Sequence, residues 1–208
     1  MVREYDQQSL TSILQFVMRN YQDAKSTRWN SSAPVFQAFD KDLKVYFQNQ
    51  LKEKYPFITR ILPRSGSSGK WSDVPYCVFL SVRYNNTMTG TNASSGFYPA
   101  YLLSQDSSEV YLVYMLASNS KTERRLINQA DVIRNEYEMP GYDWDYSKLK
   151  FGSDRHRYAV ATIWYKTYPA DNIPEESILL QDLFELLDFH ENNGLHILDI
   201  IKTGANKC

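Results

Sequence analysis

The chain has 208 residues, of which 43% are hydrophobic and 23% are charged, and its formal net charge is −1. This composition is typical of a folded globular protein and excludes a disordered, collagen-like or membrane chain. The near-zero charge also excludes a uniformly basic nucleic-acid coat. Aromatic residues are abundant at 14%, and tyrosine, with 16 copies, is the commonest of them. A tyrosine offers a flat apolar ring with a polar tip, so this surplus suits both a core and a binding surface.

Two helices are predicted first. Apolar residues between 10 and 21 recur at steps of three and four, which predicts an amphipathic helix. The same spacing over residues 35–51 predicts a second helix, with Pro34 in its first turn.

A strand-rich middle follows these helices. The β-forming apolar runs predict strands at residues 57–62, 74–80, 96–103 and 110–116, the last two joined as a hairpin. Residues 63–70 and 84–95 are rich in small and polar residues and predict a turn and a loop. Pro99 marks an edge strand or a bulge.

The last third of the chain predicts two more helices and a strand. A helical pattern covers residues 121–137 and is broken at Pro140, and a β-rich run covers residues 158–168. A final helix follows Pro174 and is expected to close near Asn193 and Gly194. We therefore expect one α+β domain over residues 1–208, with a mixed or largely antiparallel central sheet flanked by helices at both chain ends.

Charge is distributed unevenly along the chain. Residues 54–105 carry five cations and one acid, residues 148–166 again carry five cations and one acid, and residues 171–199 carry eight acids without Lys or Arg. Such asymmetry is typical of a protein with one side facing a polyanion. Solvated loops and an acidic helix are the alternative interpretation.

The sequence contains few signals for a cellular compartment or for catalysis. Cys77 and Cys208 form no disulfide framework, and we expect a cytoplasmic chain without a secretory leader or a transmembrane helix. Zinc-deaminase, phosphate-loop and hydrolase-elbow motifs are absent, so neither a cofactor nor a metal is expected. His190 and His196 are expected to flank a helix end, where a cation is ordinary.

One acidic segment allows an enzymatic alternative. Asp143, Asp145 and Lys148 combine two carboxylates with a lysine, which is the residue set of metal-dependent nucleases. The spacing differs from that of such enzymes, because the lysine lies three residues after the second acid. A surface loop is the favoured interpretation, and a nuclease is kept as an alternative.

Several separated motifs occur in a familiar order over residues 64–117. They read G-K-W at 69–71, V-P-Y at 74–76, G-F-Y-P-A-Y-L at 96–102 and V-Y-L at 110–112. This set resembles the MrcB-like N-terminal domain, the DNA-binding domain of McrB-type modification-dependent (type IV) restriction systems. The resemblance implies a non-catalytic module that recognises a modified base in duplex DNA, most directly a modified cytosine such as 5-methylcytosine, by flipping it into a pocket.

The resemblance also implies roles for particular residues. The base pocket falls on Tyr76, Tyr98 and Leu102, although an aromatic residue in an apolar strand more often belongs to a core. The loop that fills the gap left in the duplex falls on residues 67–71. The founding member of the family has an aromatic residue at the position of Ser68, so this chain departs from the pattern there. The loop residues assigned in this way are Ser67, Ser68, Lys70 and Trp71.

Cations near the pocket are expected to contact DNA phosphates, because backbone contacts dominate the affinity of DNA-binding proteins. The expected partners are double-stranded DNA with a modified base, a motor of the AAA+ GTPase or ATPase type, and a nuclease subunit. An aromatic-faced protein-interaction module remains the alternative from another functional class. The phosphate-contact candidates are Arg64, Lys70, Arg83, Arg155 and Arg157.

Overall fold

The computed structural model describes residues 4–87, 90–91, 93–118, 121–153 and 156–203. Seven helices and seven strands are found in these residues, together with a π-helical turn at Gln37–Asp42 and a 3₁₀ turn at Tyr146–Lys148. The helices are α1 Leu10–Lys25, α2 Pro34–Phe36, α3 Leu43–Leu51, α4 Val82–Asn85, α5 Glu123–Glu136, α6 His156–Ala161 and α7 Glu176–Thr203. The strands are β1 Ile58–Ser67, β2 Lys70–Ser81, β3 Asn86–Thr87, β4 Gly90–Thr91, β5 Phe97–Leu103, β6 Glu109–Leu116 and β7 Thr162–Pro169.

Five strands form one antiparallel sheet in the order β1-β2-β5-β6-β7, and β3 and β4 form a separate small hairpin. Helices α1 to α3 precede the sheet in the chain and α7 follows it. The fold class predicted from the sequence is therefore confirmed, including the hairpin of β5 and β6. No helix among the described residues is long and apolar enough to cross a membrane.

The first face of the sheet packs against a helical layer. Phe47 of α3 lies 4.9 Å from Phe79 and 5.6 Å from Tyr101, measured between ring centroids. The Tyr101 hydroxyl donates a hydrogen bond to the carbonyl of Leu179 in α7 at 2.9 Å. Because successive side chains of a strand project to opposite faces, Phe79 and Tyr101 define the first face. The side chains that alternate with them along β2 and β5 project to the second face.

The second predicted helix is continuous in space but irregular. Pro34 takes the first helical position, as expected. The chain then passes through the π-helical turn Gln37–Asp42 before it continues as α3. Hydrophobic periodicity did not predict this turn, because one wide turn changes the spacing too little to be seen in a pattern of apolar residues.

The predicted turn over residues 63–70 is wrong for most of its length. Strand β1 continues to Ser67 and β2 begins at Lys70, so the turn consists of Ser68 and Gly69 alone. Both have positive φ, 52° and 78°, as a two-residue hairpin loop requires. Pro63 is tolerated within β1 because β1 is an edge strand.

Pro99 does not mark an edge strand. Strand β5 lies between β2 and β6 and is buried throughout. Its pairing with β2 covers only Ala100, Tyr101 and Leu102, whereas Pro99 pairs with Tyr114 of β6. The missing N–H of Pro99 therefore lies just beyond the end of the β2 ladder, where it interrupts no strand pairing.

Two further predictions need correction. The β-rich run at residues 158–168 begins as helix α6, and the strand β7 starts only at Thr162. The predicted loop at residues 84–95 contains the end of α4 and the small β3–β4 hairpin. In both segments tertiary packing overrides local β or loop propensity.

Helix α7 does not close near Asn193 and Gly194 but continues to Thr203. A Cβ atom built on Gly194 would lie 2.4 Å from Cζ of the Tyr84 ring. Tyr84 is itself buried and stacks on Phe97 at 5.2 Å. The glycine therefore permits close approach of a ring to the helix and does not end the helix.

His190 lies in the interior of α7 and not at its end. The side chain is fully buried, and the Tyr114 hydroxyl lies 3.0 Å from its Nδ1 atom. Its Nε2 atom is buried without a hydrogen-bond partner among the described residues. Burial lowers the pKa of His190 to about 3.

We expect Gly194→Ala to destabilise the fold by about 1–3 kcal/mol, because the added methyl group overpacks against Tyr84. Helix propensity alone would give the opposite sign, a gain of about 0.5–1 kcal/mol. Urea unfolding measures the change. The control is Leu195→Ala at the neighbouring, 63% exposed position, which should change stability by less than about 0.5 kcal/mol. A Gly194→Ala variant as stable as the wild type would contradict the packing argument.

We expect the free energy of unfolding to decrease as the pH is lowered, because of His190. Its folded pKa, about 3, lies below the unfolded value of 6.5, so only unfolded chains bind the proton in this range. The free energy of unfolding then decreases by up to about 1.4 kcal/mol per pH unit below about pH 6.5. His190→Phe should make the stability difference between about pH 7 and about pH 5 smaller. A His190→Phe variant with the same stability difference as the wild type would refute the assignment.

Candidate functional site

The second face of the sheet brings three of the predicted site residues into one row. Arg64 pairs with Tyr76, and Tyr76 pairs with Leu102, across β1, β2 and β5. Directly paired residues of antiparallel strands project to the same face. These three side chains are therefore neighbours, although 38 positions separate the first from the last.

A cavity of about 360 Å³ opens on this face. This volume is within the range of about 300–1,000 Å³ that is usual for small-molecule sites. Tyr76, Tyr98, Leu102 and Arg64 all line it, so the structure brings together the whole predicted pocket and one predicted phosphate contact. The other lining residues are Arg60, Leu62, Val78, Ala93, Ser94, Met115, Ser118 and Tyr158.

Tyrosine and leucine side chains form an apolar lining on β2 and β5. Tyr98 is 5% exposed and Leu102 is 1% exposed, whereas Tyr76 is half-buried. The Tyr98 hydroxyl donates a hydrogen bond to the carbonyl of Ala93 at 3.1 Å. Burial raises the pKa of Tyr98, so its phenol is neutral. Tyr98 therefore both lines the cavity and holds the segment that forms one wall of it.

The rim of the cavity is basic on the side of β1. Arg60 and Arg64 are exposed on this edge strand. They are four residues apart, which is an even number, so both project to the second face of the sheet. Between the strand and the helical layer, the Asp40 carboxylate accepts the backbone N–H of Ser65 at 3.0 Å. Burial raises the pKa of Asp40, against the effect of this hydrogen bond.

The predicted gap-filling loop lies at the tip of the β1–β2 hairpin and does not line the cavity. Ser68 and Lys70 are exposed at this tip, and Ser67 is half-buried. Trp71 is half-buried and meets the Tyr21 ring edge-on at 5.6 Å. Trp71 therefore packs against α1 and is not free to take the place of the missing aromatic residue.

Arg28 is a residue of this tip that the sequence did not indicate. The backbone N–H of Trp29 donates a hydrogen bond to the carbonyl of Gly69 at 3.3 Å, which ties the α1–α2 loop to the hairpin. The Arg28 guanidinium lies against Gly69, with its Nε atom 3.1 Å from a Cβ built there. Arg28 is exposed, so the tip carries a second cation beside Lys70.

The remaining described phosphate-contact candidates do not line the cavity. Arg83 is exposed in α4 and does not line the cavity. The Arg157 guanidinium donates hydrogen bonds to the carbonyls of Ser118, at 2.7 Å, and Lys121, so it holds the segment that follows β6. Arg155 lies outside the described residues.

Some cavity residues could have been found from the sequence. Arg60 and Leu62 alternate with Arg64 along β1, and Val78 alternates with Tyr76 along β2, which is the period of one strand face. Ala93, Ser118 and Tyr158 carry no such signal. They reach the cavity from a loop, the segment after β6 and a short helix, whose positions depend on long-range packing.

The carboxylates of the nuclease alternative are satisfied by local N–H and hydroxyl donors and by Lys148. Asp143 accepts the backbone N–H groups of Trp144 and Asp145 and lies 2.8 Å from the Lys148 Nζ atom. The N–H of Asp145, followed by the Lys148 side chain, lowers the pKa of Asp143 to about 2. In the described part of the chain, no group of three or more His, Cys, Asp or Glu side chains is arranged to hold a metal ion. This turn is locally hydrogen-bonded and exposed.

Comparison with known families decides the assignment. The model of the MrcB-like N-terminal domain matches residues 16–193, which is most of the chain. The chain belongs to this family. No curated protein and no solved structure matches this chain. The MrcB-like domain is a DNA-binding module of McrB-type restriction systems, and the three motif residues Tyr76, Tyr98 and Leu102 line one cavity of it.

We expect Tyr98→Phe to lower the free energy of unfolding by about 0.5–1.5 kcal/mol, since it removes the hydrogen bond to Ala93 and keeps the ring. Backbone amide exchange in residues 93–96 should accelerate more than exchange in β6. The matched control is Tyr76→Phe, a half-buried tyrosine in the same cavity. Unchanged exchange near Ala93 in Tyr98→Phe would show that this bond does not hold the cavity wall.

Proposed function

We propose that this MrcB-like domain recognises a modified base, most directly a modified cytosine, by taking it out of duplex DNA into the cavity of about 360 Å³. Enzymes and readers that act on an extruded base stack it between aromatic or apolar side chains and bind its edge by hydrogen bonds. Tyr76, Tyr98 and Leu102 supply such surfaces. The convergence of these three motif residues on one cavity is the observation that carries the proposal.

The charge around the cavity supports DNA as the ligand. Arg60 and Arg64 place positive charge beside the opening, and Arg28 and Lys70 place it at the hairpin tip. Phosphate contacts position a protein on DNA, and base contacts supply its specificity. The domain thus combines exposed cations for the backbone with a concave apolar site for one base.

The proposal assigns the catalytic steps of restriction to other parts of the system. We propose that residues 1–208 act as one recognition domain without activity of their own, in the cytoplasm, together with a nucleotide-driven motor and a nuclease. The predicted alternative of a flat aromatic interaction face is less favoured, because the aromatic residues of this face line a concavity. The nuclease alternative is less favoured, because Asp143 and Asp145 are engaged in local hydrogen bonds.

The test compares matched duplexes that differ at one cytosine. Fluorescence anisotropy at a single salt concentration should show tighter binding of the wild type to DNA with 5-methylcytosine or 5-hydroxymethylcytosine than to plain DNA. A fluorescent base analogue at the same position should brighten on binding as it leaves the stack. Equal affinity for all duplexes, with no change in fluorescence, would refute the proposal.

We expect Tyr76→Ala to weaken binding to the preferred modified duplex by about 5- to 160-fold, which corresponds to about 1–3 kcal/mol for one stacked base. Binding to plain DNA should change much less. The control is Tyr137→Ala, a half-buried tyrosine outside the cavity, which should keep both affinities. Circular dichroism shows that both variants fold, and an unchanged preference in Tyr76→Ala would remove Tyr76 from the site.

A further inference from the structure

Three cationic residues are connected to the part of the cavity wall that Ser118 and Tyr158 form. Arg157 is adjacent to Tyr158, which lines the cavity, and its guanidinium bridges the carbonyls of Ser118 and Lys121. Arg125 lies in the first turn of α5, four residues after Lys121, and interacts with it electrostatically. We name Lys121, Arg125 and Arg157 the α5 cationic cluster.

No ion pair neutralises the α5 cationic cluster in the described part of the chain. None of its three members forms an ion pair with a described carboxylate. Glu123, the acidic residue of the first turn of α5, is exposed and lies 3.4 Å from the Nδ1 atom of His156. The positive charge of the cluster is thus available to a ligand.

The environment of the α5 cationic cluster destabilises the charged form of its side chains. Burial, and then repulsion by Arg125, lower the pKa of Lys121 to about 8. The Nε–H of Arg125 is buried and has no hydrogen-bond partner among the described residues. Unpartnered donors and unneutralised cations of this kind destabilise a fold, and a bound anion would relieve both effects.

The start of α5 adds to the positive potential. The helix begins at Glu123, two residues after Lys121, and the Thr122 hydroxyl caps it by accepting the Arg125 N–H at 3.3 Å. The N-terminal end of a helix carries partial positive charge. This is a smaller contribution than that of the three side chains.

We propose that the α5 cationic cluster binds a backbone phosphate of the DNA strand whose base enters the cavity. This inference rests on the proposed function. Arg60 and Arg64 lie on β1, and the cluster is connected to the segment after β6, with β2 and β5 between them in the sheet. The proposed path of the sugar–phosphate chain runs between these two groups of cations. Lys121 and Arg125 contact the phosphate, and Arg157 is a positioning residue that holds the Lys121 backbone.

The test is the salt dependence of DNA binding by the Lys121→Gln/Arg125→Gln double variant. Each lost phosphate contact reduces the slope of log affinity against log salt by about 0.9 on duplex DNA, so we expect a reduction of about 1–2. Affinity for modified and plain duplexes should fall by the same factor, since a phosphate carries no sequence information. The charge-matched control is Lys44→Gln/Lys52→Gln, both exposed at or beside α3 in the helical layer.

The outcomes separate this inference from the proposed function. A slope equal to that of the control variant would overturn the phosphate site, whatever base the wild type prefers. A loss of base preference at unchanged slope would also overturn it, because the side chains would then contact the base. If the wild type shows no base preference, the proposed function fails, and a reduced slope on plain DNA still supports the phosphate site. Should the double variant not fold, Lys121→Gln alone should reduce the slope by about 0.9.

Discussion

The register of the antiparallel sheet decides which side chains can meet at the cavity. Direct pairing of Arg64 with Tyr76 and of Tyr76 with Leu102 sends all three to one face, while Phe79 and Tyr101 pack under the helices on the other. A slip of one residue would exchange the two faces. The same pattern of alternation thus stabilises the helical layer and leaves a concave aromatic surface on the opposite side.

Much of this site could be read from the sequence because its residues lie on strands. Alternation along β1 and β2 and the motif order place Tyr76, Tyr98 and Leu102, and a hairpin aligns β5 with β6. Tyr158 could not be predicted, because it reaches the cavity from a helix in a segment whose local propensity favours a strand. The role of Arg125 likewise could not be predicted, because it depends on the packing of α5 against that helix.

Other failures of prediction share a physical cause. Pro99 usually marks an edge strand or a bulge, and Gly194 a helix end, yet here Pro99 lies in an inner strand and Gly194 inside a helix. Pro99 is tolerated because the β2 ladder stops beside it, and Gly194 because the Tyr84 ring occupies the space of a side chain. Both depend on neighbours from distant parts of the chain, which local sequence does not contain. The sequence predicts a helix end near His190 because Gly194 follows it, and the contact of Gly194 with Tyr84 cannot be seen in the local sequence.

The net charge of −1 conceals an acidic helix and a group of arginines that lie in different places on the domain. Helix α7 packs on the face opposite the cavity and carries exposed acids such as Glu185, Asp188 and Glu191, whereas arginines flank the cavity. The acids of α7 and the cationic rim of the cavity therefore lie on opposite faces of the sheet. Because the α7 acids repel a polyanion and the cavity arginines attract it, approach from the cavity side is electrostatically favoured.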